Sequence, residues 1–182
     1  CKHLLSLPEF RSAQVVKVHP SIGASTLRSA LVALGKTVLV PPYPGERFLY
    51  LRLHKDLVPS TKVLLKCGDK REYLRWAEPL ALQDIPLVDI VVVATCVVAP
   101  NGVRLGKGKG YGEVEWGILT EIGAVEASTT PVYTICHDLQ VANSEEMPKT
   151  MLDKHDLPVD VVATPTGLIR CGEDDRIQKP AG

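Results

Sequence analysis

The chain has 182 residues, 45% of them hydrophobic and 23% charged, a composition typical of a folded domain with a buried core. Its 21 basic and 21 acidic residues balance, which argues against a nucleic-acid or anionic-membrane partner attracted by overall charge. No apolar run approaches the roughly 20 residues that a membrane-spanning helix needs.

The first half of the chain alternates helical and strand patterns. Residues 1–10 fit either the remainder of an amphipathic helix or a lead-in to the domain, and residues 13–18 are expected to form a valine-rich strand. Apolar residues at helical spacing predict a helix over residues 25–34, which Gly35 is suited to end. Residues 37–40 follow as a short buried strand.

The pattern between residues 43 and 87 is weaker and leaves alternatives open. Residues 47–54 fit either an edge strand or a helix. Ser60 is a candidate cap for a short helix that runs through Cys67.

The second half is more regular. Apolar runs predict strands over residues 90–98, 132–136 and 159–164. Helices are expected from about residue 113 to 122 and, in part, over residues 145–155. Such alternation predicts an α/β fold, a mostly parallel sheet with helices on both faces. We expect one domain over residues 1–170 and a loose polar tail over residues 171–182.

Five cysteines are spread widely along the chain and form no C-x-x-C pair. An odd number without close spacing indicates neither a disulfide framework nor a zinc site. We therefore expect a reducing compartment, the cytoplasm or an organelle. The sequence shows no secretory signal, and because it begins at Cys1, it leaves a targeting segment before that residue an open question.

A glycine-rich, cationic loop lies between the strand that begins at residue 90 and the helix near residue 113. Residues 104–113 read Arg-Leu-Gly-Lys-Gly-Lys-Gly-Tyr-Gly-Glu, with three cations and four glycines. Glycines allow close approach of the backbone to a ligand, and a helix N-terminus offers free N–H groups to an anion. The pattern matches neither a P-loop nor G-x-G-x-x-G. Spacing alone leaves two interpretations, a phosphate site and a flexible solvated turn.

Each polar side chain of this loop has a candidate role. Arg104, expected to be an exposed loop cation whose removal leaves folding intact, can grip phosphate oxygens in a fork. Lys107 and Lys109 add point charges. Tyr111 can pack over a ligand or fill the junction between sheet and helix. Glu113 can hold Mg²⁺ beside a bound triphosphate.

Other titratable residues favour structural roles. Glu115 is expected to complement the helix dipole. The pairs His137-Asp138 and His155-Asp156 flank predicted strands, but no serine or cysteine nucleophile is paired with either. We expect capping or loop hydrogen bonds from both pairs.

Several motifs together resemble the 5-formyltetrahydrofolate cyclo-ligase (methenyltetrahydrofolate synthetase) family. They are Arg104-Leu105-Gly106-x-Gly108-x-Gly110-Tyr111, then Gln140, then His155-Asp156-x-x-Val159-Asp160-x-x-Ala163-Thr164. Residues 106–111, 134–138 and 164–166 are most similar to a divergent branch, the methenyltetrahydrofolate synthetase domain-containing proteins.

The resemblance implies a fold of the ribose-isomerase and CoA-transferase type, together with ATP, Mg²⁺ and a reduced folate as small-molecule substrate. In the family reaction, ATP phosphorylates the formyl oxygen of 5-formyltetrahydrofolate, N10 attacks, and phosphate leaves to give 5,10-methenyltetrahydrofolate. By position, Arg104 and Lys109 would be catalytic, and Glu113 would bind the metal. The nucleotide would be held by Arg104, Gly106, Lys107, Gly108, Lys109, Gly110 and Tyr111.

Two departures from the family pattern keep other functions open. The usual Tyr-Tyr-Asp-Arg reads Tyr-Gly-Glu-Val at residues 111–114, and residues 19–24 contain no acidic residue of the kind that the family places after its first strand. The alternatives are a paralogue that acts on another small molecule, for example a thiamin-related one, and a non-catalytic interaction module. The sequence does not decide whether the chain is an active enzyme.

Overall fold

The computed structural model describes residues 2–42, 48–64, 66–172 and 176–181. Within these residues the strands are β1 (Val15–Val18), β2 (Thr37–Val40), β3 (Tyr50–Leu53), β4 (Glu78–Leu80), β5 (Ile90–Val93), β6 (Val97–Val98), β7 (Arg104–Leu105), β8 (Val132–Ile135), β9 (Val161–Ala163) and β10 (Leu168–Arg170). The helices are α1 (Lys2–Ser6), α2 (Pro8–Ser12), α3 (Ser25–Ala33), α4 (Thr61–Leu64), α5 (Lys70–Tyr73) and α6 (Tyr111–Glu121). Residues 1, 47, 65, 173–175 and 182, which belong to predicted segments, lie outside the description.

Eight of the described strands form one sheet, in the order β10-β9-β8-β5-β1-β2-β3-β4. The five strands from β9 to β2 are parallel. At one edge β10 pairs antiparallel with β9, and at the other β3 pairs antiparallel with β2 and β4 antiparallel with β3. All four residues of β5 are buried, as expected for a strand covered on both faces. The predicted α/β fold with a mostly parallel sheet is confirmed.

Alternate residues of the strands supply two hydrophobic cores, one on each face of the sheet. Val16 and Val18 of β1 pack with α3 on the first face. Val91 and Val93 of β5 pack with Trp116 of α6 on the second.

Two aspartates hold neighbouring strands in register at their amino ends. Asp89, just before β5, accepts hydrogen bonds from the backbone N–H groups of Gln14 (2.7 Å) and Val15 (2.9 Å). Asp160, just before β9, accepts from the N–H of Val132 at 2.7 Å. Asp160 of the family-like block therefore has a structural role at the sheet edge opposite the glycine-rich loop.

The direction of strand order reverses between the neighbouring strands β1 and β5. The chain leaves β1 towards β2 through α3, and it leaves β5 towards β8 through α6, which covers the other face. Ligands of open α/β sheets bind beyond the carboxyl ends of the strands at such a point of reversal. The fold thus brings the loop after β5 next to the end of β1.

The predicted strand over residues 90–98 is wrong as one element. It ends at Val93, and the chain then forms a hairpin in which Val98 of β6 pairs with Arg104 of β7. Thr95 stabilises the break, because its hydroxyl donates to the carbonyl of Val97 at 2.7 Å.

The helix expected within residues 145–155 is reduced to one 3₁₀ turn, Lys149–Met151. Pro148 precedes this turn in extended conformation and has no N–H to donate, so helical hydrogen bonding cannot extend through it.

Residues 176–181, which the sequence assigns to a polar tail, contact the sheet and α6. The indole N–H of Trp116 donates to the carbonyl of Pro180 at 2.8 Å. Lys179 Nζ lies 3.0 Å from Asp160 Oδ2, and Ile177 packs against a small core that contains Val103.

Within the described ranges, no helix is both long and apolar enough to cross a bilayer.

Candidate functional site

The glycine-rich loop leads directly into α6. Residues 106–110 are exposed, and Gly108 (φ +71°) and Gly110 (φ +64°) adopt the left-handed conformation that favours glycine. Gly110 is the residue before α6 and has no side chain to cap the first turn. The helix therefore presents uncapped backbone N–H groups beside the loop cations, an arrangement suited to an anion.

Arg104 is buried against the glycine-rich loop and the start of α6, so the prediction that it is an exposed cation is wrong. The residue is only 7% exposed. Its guanidinium donates to the carbonyls of Leu157 (2.9 Å) and Ala94 (3.2 Å) and forms an ion pair with Glu113. Arg104 pairs with Val98 in the β6–β7 hairpin and its side chain is buried, whereas the sequence pattern assigns residues 104–105 to a loop.

Two glycines allow the loop and α6 to lie directly over the Arg104 guanidinium. A Cβ at Gly112 would lie 3.2 Å from Arg104 Nη2, and one at Gly106 would lie 3.4 Å from Nη1. These positions thus serve close packing against Arg104, whereas Gly108 and Gly110 serve backbone conformation.

The other polar side chains of the loop and the start of α6 are more exposed than Arg104. Lys107 and Lys109 are exposed, and the charge of Lys107 acts on His19 at the end of β1. Tyr111 is 52% exposed, so it does not fill the junction between sheet and helix. Glu113 is partly exposed at the start of α6 and pairs with Arg104.

An ion pair that the sequence did not predict joins β1 to α6. Lys17 is 1% exposed, and its ammonium group pairs with Glu115 on the sheet face covered by α6. Glu115 therefore neutralises a buried lysine, in addition to any effect on the helix dipole. The available signal was a lysine between valines in a strand, Val15-Val16-Lys17-Val18.

His19 lies at the carboxyl end of β1 and was also missed. It is 7% exposed, and its backbone N–H donates to Val92 of β5 at 3.0 Å. Burial, together with the positive charges of Lys17, Arg28, Lys107 and Arg104, lowers its pKa to about 3. The cations around His19 come from β1, α3 and the segment 104–107, so three chain segments meet here.

The expected structural roles of His137 and Asp138 are confirmed. His137 caps a 3₁₀ turn, Asp138–Gln140, by accepting from the N–H of Leu139 at 3.2 Å, and Asp138 accepts from the hydroxyl of Thr166. The amide of Gln140 donates to the carbonyl of Cys96 at 3.0 Å. In the second pair, Asp156 accepts from the N–H of Asp153 at 2.8 Å.

Sequence comparison finds relatives called methenyltetrahydrofolate synthase domain-containing protein. The Bos taurus relative is 34% identical over 181 residues, which is 100% of this chain and 46% of the relative. The Homo sapiens relative is 33% identical over 172 residues, 94% of this chain and 44% of the relative. The chain thus spans less than half the length of these curated relatives.

Structure comparison finds a 5,10-methenyltetrahydrofolate synthetase from Mycoplasma pneumoniae, with a TM-score of 0.52 and 11% sequence identity over 88% of this chain and 79% of that one. At this identity the likeness establishes the fold. The family model described as 5-formyltetrahydrofolate cyclo-ligase family matches residues 1–165, and the chain belongs to that family.

Proposed function

We propose that the chain is an ATP- and Mg²⁺-dependent cyclo-ligase that converts 5-formyltetrahydrofolate to 5,10-methenyltetrahydrofolate. Family membership supports a folate-related ligase reaction. The observation that carries the nucleotide assignment is the glycine-rich loop beyond the carboxyl ends of β1 and β5, where the strand order reverses, with uncapped N–H groups and cations around it. Phosphoryl transfer depends mainly on positioning and charge stabilisation, which such a site supplies.

In this proposal the loop holds the phosphates. Lys107 and Lys109 are exposed cations that can contact phosphoryl oxygens, and Lys109 is placed to stabilise charge on the transferred group. Arg104 has five N–H donors, of which at least three are used within the protein, so it acts as a fixed positive charge under the loop. Tyr111 is exposed beside the loop and can pack over the nucleotide.

Glu113 is the proposed metal ligand. Mg²⁺ is commonly held by one or two carboxylates together with substrate phosphates. Glu113 lies at the start of α6 next to the loop, is partly exposed, and keeps its carboxylate in place through Arg104, so it fits one such position. When bound, ATP and Mg²⁺ supply the phosphoryl group and neutralise its charge.

The test follows methenyltetrahydrofolate by absorbance in a mixture of the chain, 5-formyltetrahydrofolate, ATP and magnesium. The wild type should form product only when ATP is present. The double variant Lys107→Ala/Lys109→Ala should lose most of this activity, while Lys154→Ala, which changes an exposed lysine in another loop, should retain it. Absence of product from the wild type would refute activity on this substrate.

A second candidate keeps the phosphate site but acts on another small molecule, for example a thiamin-related one. It is favoured by residues 19–24, which carry no carboxylate at the end of β1, and by the cations around His19. A thermal-shift panel separates the two candidates. Stabilisation by thiamin phosphates or nucleotides but not by folates would support the second, and no stabilisation by any of them would favour a non-catalytic interaction module.

A further inference from the structure

The imidazole of His19 is buried without a hydrogen-bond partner. Neither ring nitrogen has a hydrogen-bond partner among the described residues, and with only 7% of the residue exposed, water is largely excluded as a substitute. Its backbone is fixed on both sides, since its N–H donates to Val92 and its carbonyl accepts from Arg28 Nη1 at 2.6 Å. Buried polar groups in native proteins normally have partners, and an exception requires an explanation.

The electrostatics around His19 favour an anion. The charges that act on it are cationic and belong to Lys17 of β1, Arg28 of α3, and Arg104 and Lys107 of the loop segment. Glu113 and Glu115, the nearby carboxylates of α6, are paired with Arg104 and Lys17. A neutral imidazole in this setting offers one N–H donor and one acceptor nitrogen.

Tyr50 provides a second unpartnered group at the same edge of the sheet. Strand β3 is antiparallel to β2 and begins where β2 ends, so Tyr50 lies at the edge formed by the carboxyl ends of the parallel strands. Its hydroxyl is buried, has no partner among the residues described, and feels the charge of Glu115. Two buried, unsatisfied groups at this edge therefore each feel the charge of one member of the Lys17–Glu115 ion pair, which is consistent with a site completed by a ligand.

We propose that His19 is a ligand-contacting residue of this site and that its imidazole N–H donates to a phosphate oxygen of the bound ligand. The inference rests on the proposed function, because it assigns the phosphate to the loop cations whose charges act on His19. It adds a contact from β1 that is absent from the glycine-rich motif.

The distinguishing variant is His19→Leu in the full chain. Leucine removes both nitrogens at similar volume, so it relieves an unsatisfied buried group when no ligand is bound. The thermal midpoint without ligand should be unchanged or higher, while affinity for ATP with magnesium, measured by calorimetry, should fall about 10- to 100-fold. The variant His19→Gln keeps an N–H donor and should bind with intermediate affinity. The control His155→Gln alters an exposed histidine and should bind like the wild type.

Each result has one meaning. Wild-type affinity in both His19 variants would overturn the inference while leaving the proposed function intact, and so would a clear loss of thermal stability in His19→Leu, which would show a structural partner. If the wild type binds no nucleotide, the proposed function fails, and His19 is tested by ¹⁵N NMR of its ring with inorganic pyrophosphate. A shift confined to His19 would then support the contact, and no shift would overturn it.

Discussion

The site contains charged and titratable side chains that are buried, and their stability depends on the groups packed around them. Lys17, His19 and Arg104 are each at least nine-tenths buried at the carboxyl edge of the sheet. A buried charge is tolerated only when it is paired and hydrogen-bonded, and Lys17 and Arg104 each have a glutamate of α6. His19 instead remains neutral.

Arg104→Ala should destabilise the protein by about 3 kcal/mol, because it leaves Glu113 without its partner and removes the donor from the buried carbonyl of Leu157 and the partly buried carbonyl of Ala94. The free energy of unfolding in urea measures the loss. Lys109→Ala changes an exposed loop cation and should stay within about 0.5 kcal/mol of the wild type. Equal stability of the two variants would contradict the structural role given to Arg104.

The neutral His19 predicts a pH-dependent stability. Its pKa is about 3 in the folded protein against an ordinary value of 6.5, so between these values the unfolded chain binds a proton that the folded chain does not. Stability should therefore fall as pH drops below about 6.5, by at most ~1.4 kcal/mol per pH unit from this group. The measurement is the difference in unfolding free energy between wild type and His19→Leu from pH 7 to 4.5. Parallel curves would refute a buried neutral histidine.

Helix α6 carries most of the site's supporting contacts. Glu113 and Glu115 pair with Arg104 and Lys17, and Trp116 packs into the core of the same sheet face. The position of its first turn is set by the left-handed Gly110, so the loop and the helix act as one element.

Two glycine-to-alanine substitutions in the loop and α6 should change the free energy of unfolding in opposite directions. Gly110→Ala forces a side chain into a left-handed conformation and should cost about 1–2 kcal/mol. Gly117→Ala lies inside α6, meets open space, and should stabilise the protein by up to about 1 kcal/mol. Unfolding free energies of both variants decide this, and a stabilised Gly110→Ala would show that the loop does not need its left-handed turn.

At the scale of the whole molecule, residues 176–181 close the end of the second core. The side chains of Lys179 and Asp160 are both almost fully buried, and Asp160 also accepts a hydrogen bond from the backbone at the start of β8. The last described segment is thereby linked to the same sheet that positions the site.

A double-mutant cycle with Asp160→Asn and Lys179→Met should give a coupling energy of at least about 1 kcal/mol, because the pair is shielded from water. The exposed pair Arg52–Asp56 should give less than about 0.5 kcal/mol in the same experiment. Coupling energies of similar size for the two pairs would argue against a docked segment.

The sequence by itself determined the alternation of strands and helices, the mostly parallel sheet and the glycine-rich loop ahead of α6. These features are encoded locally, in β-branched runs, helical spacing and glycine positions. Short edge strands such as β4 and β10 were missed, because three residues carry too little periodicity to identify. Only the tertiary structure decided that Arg104 is buried, that Lys17 pairs with Glu115, and that His19 is buried within reach of the charges of Arg104 and Lys107. Those contacts join residues from separate strands and helices. The burial that pairs these charges and keeps His19 neutral exists only once the sheet and α6 have packed together.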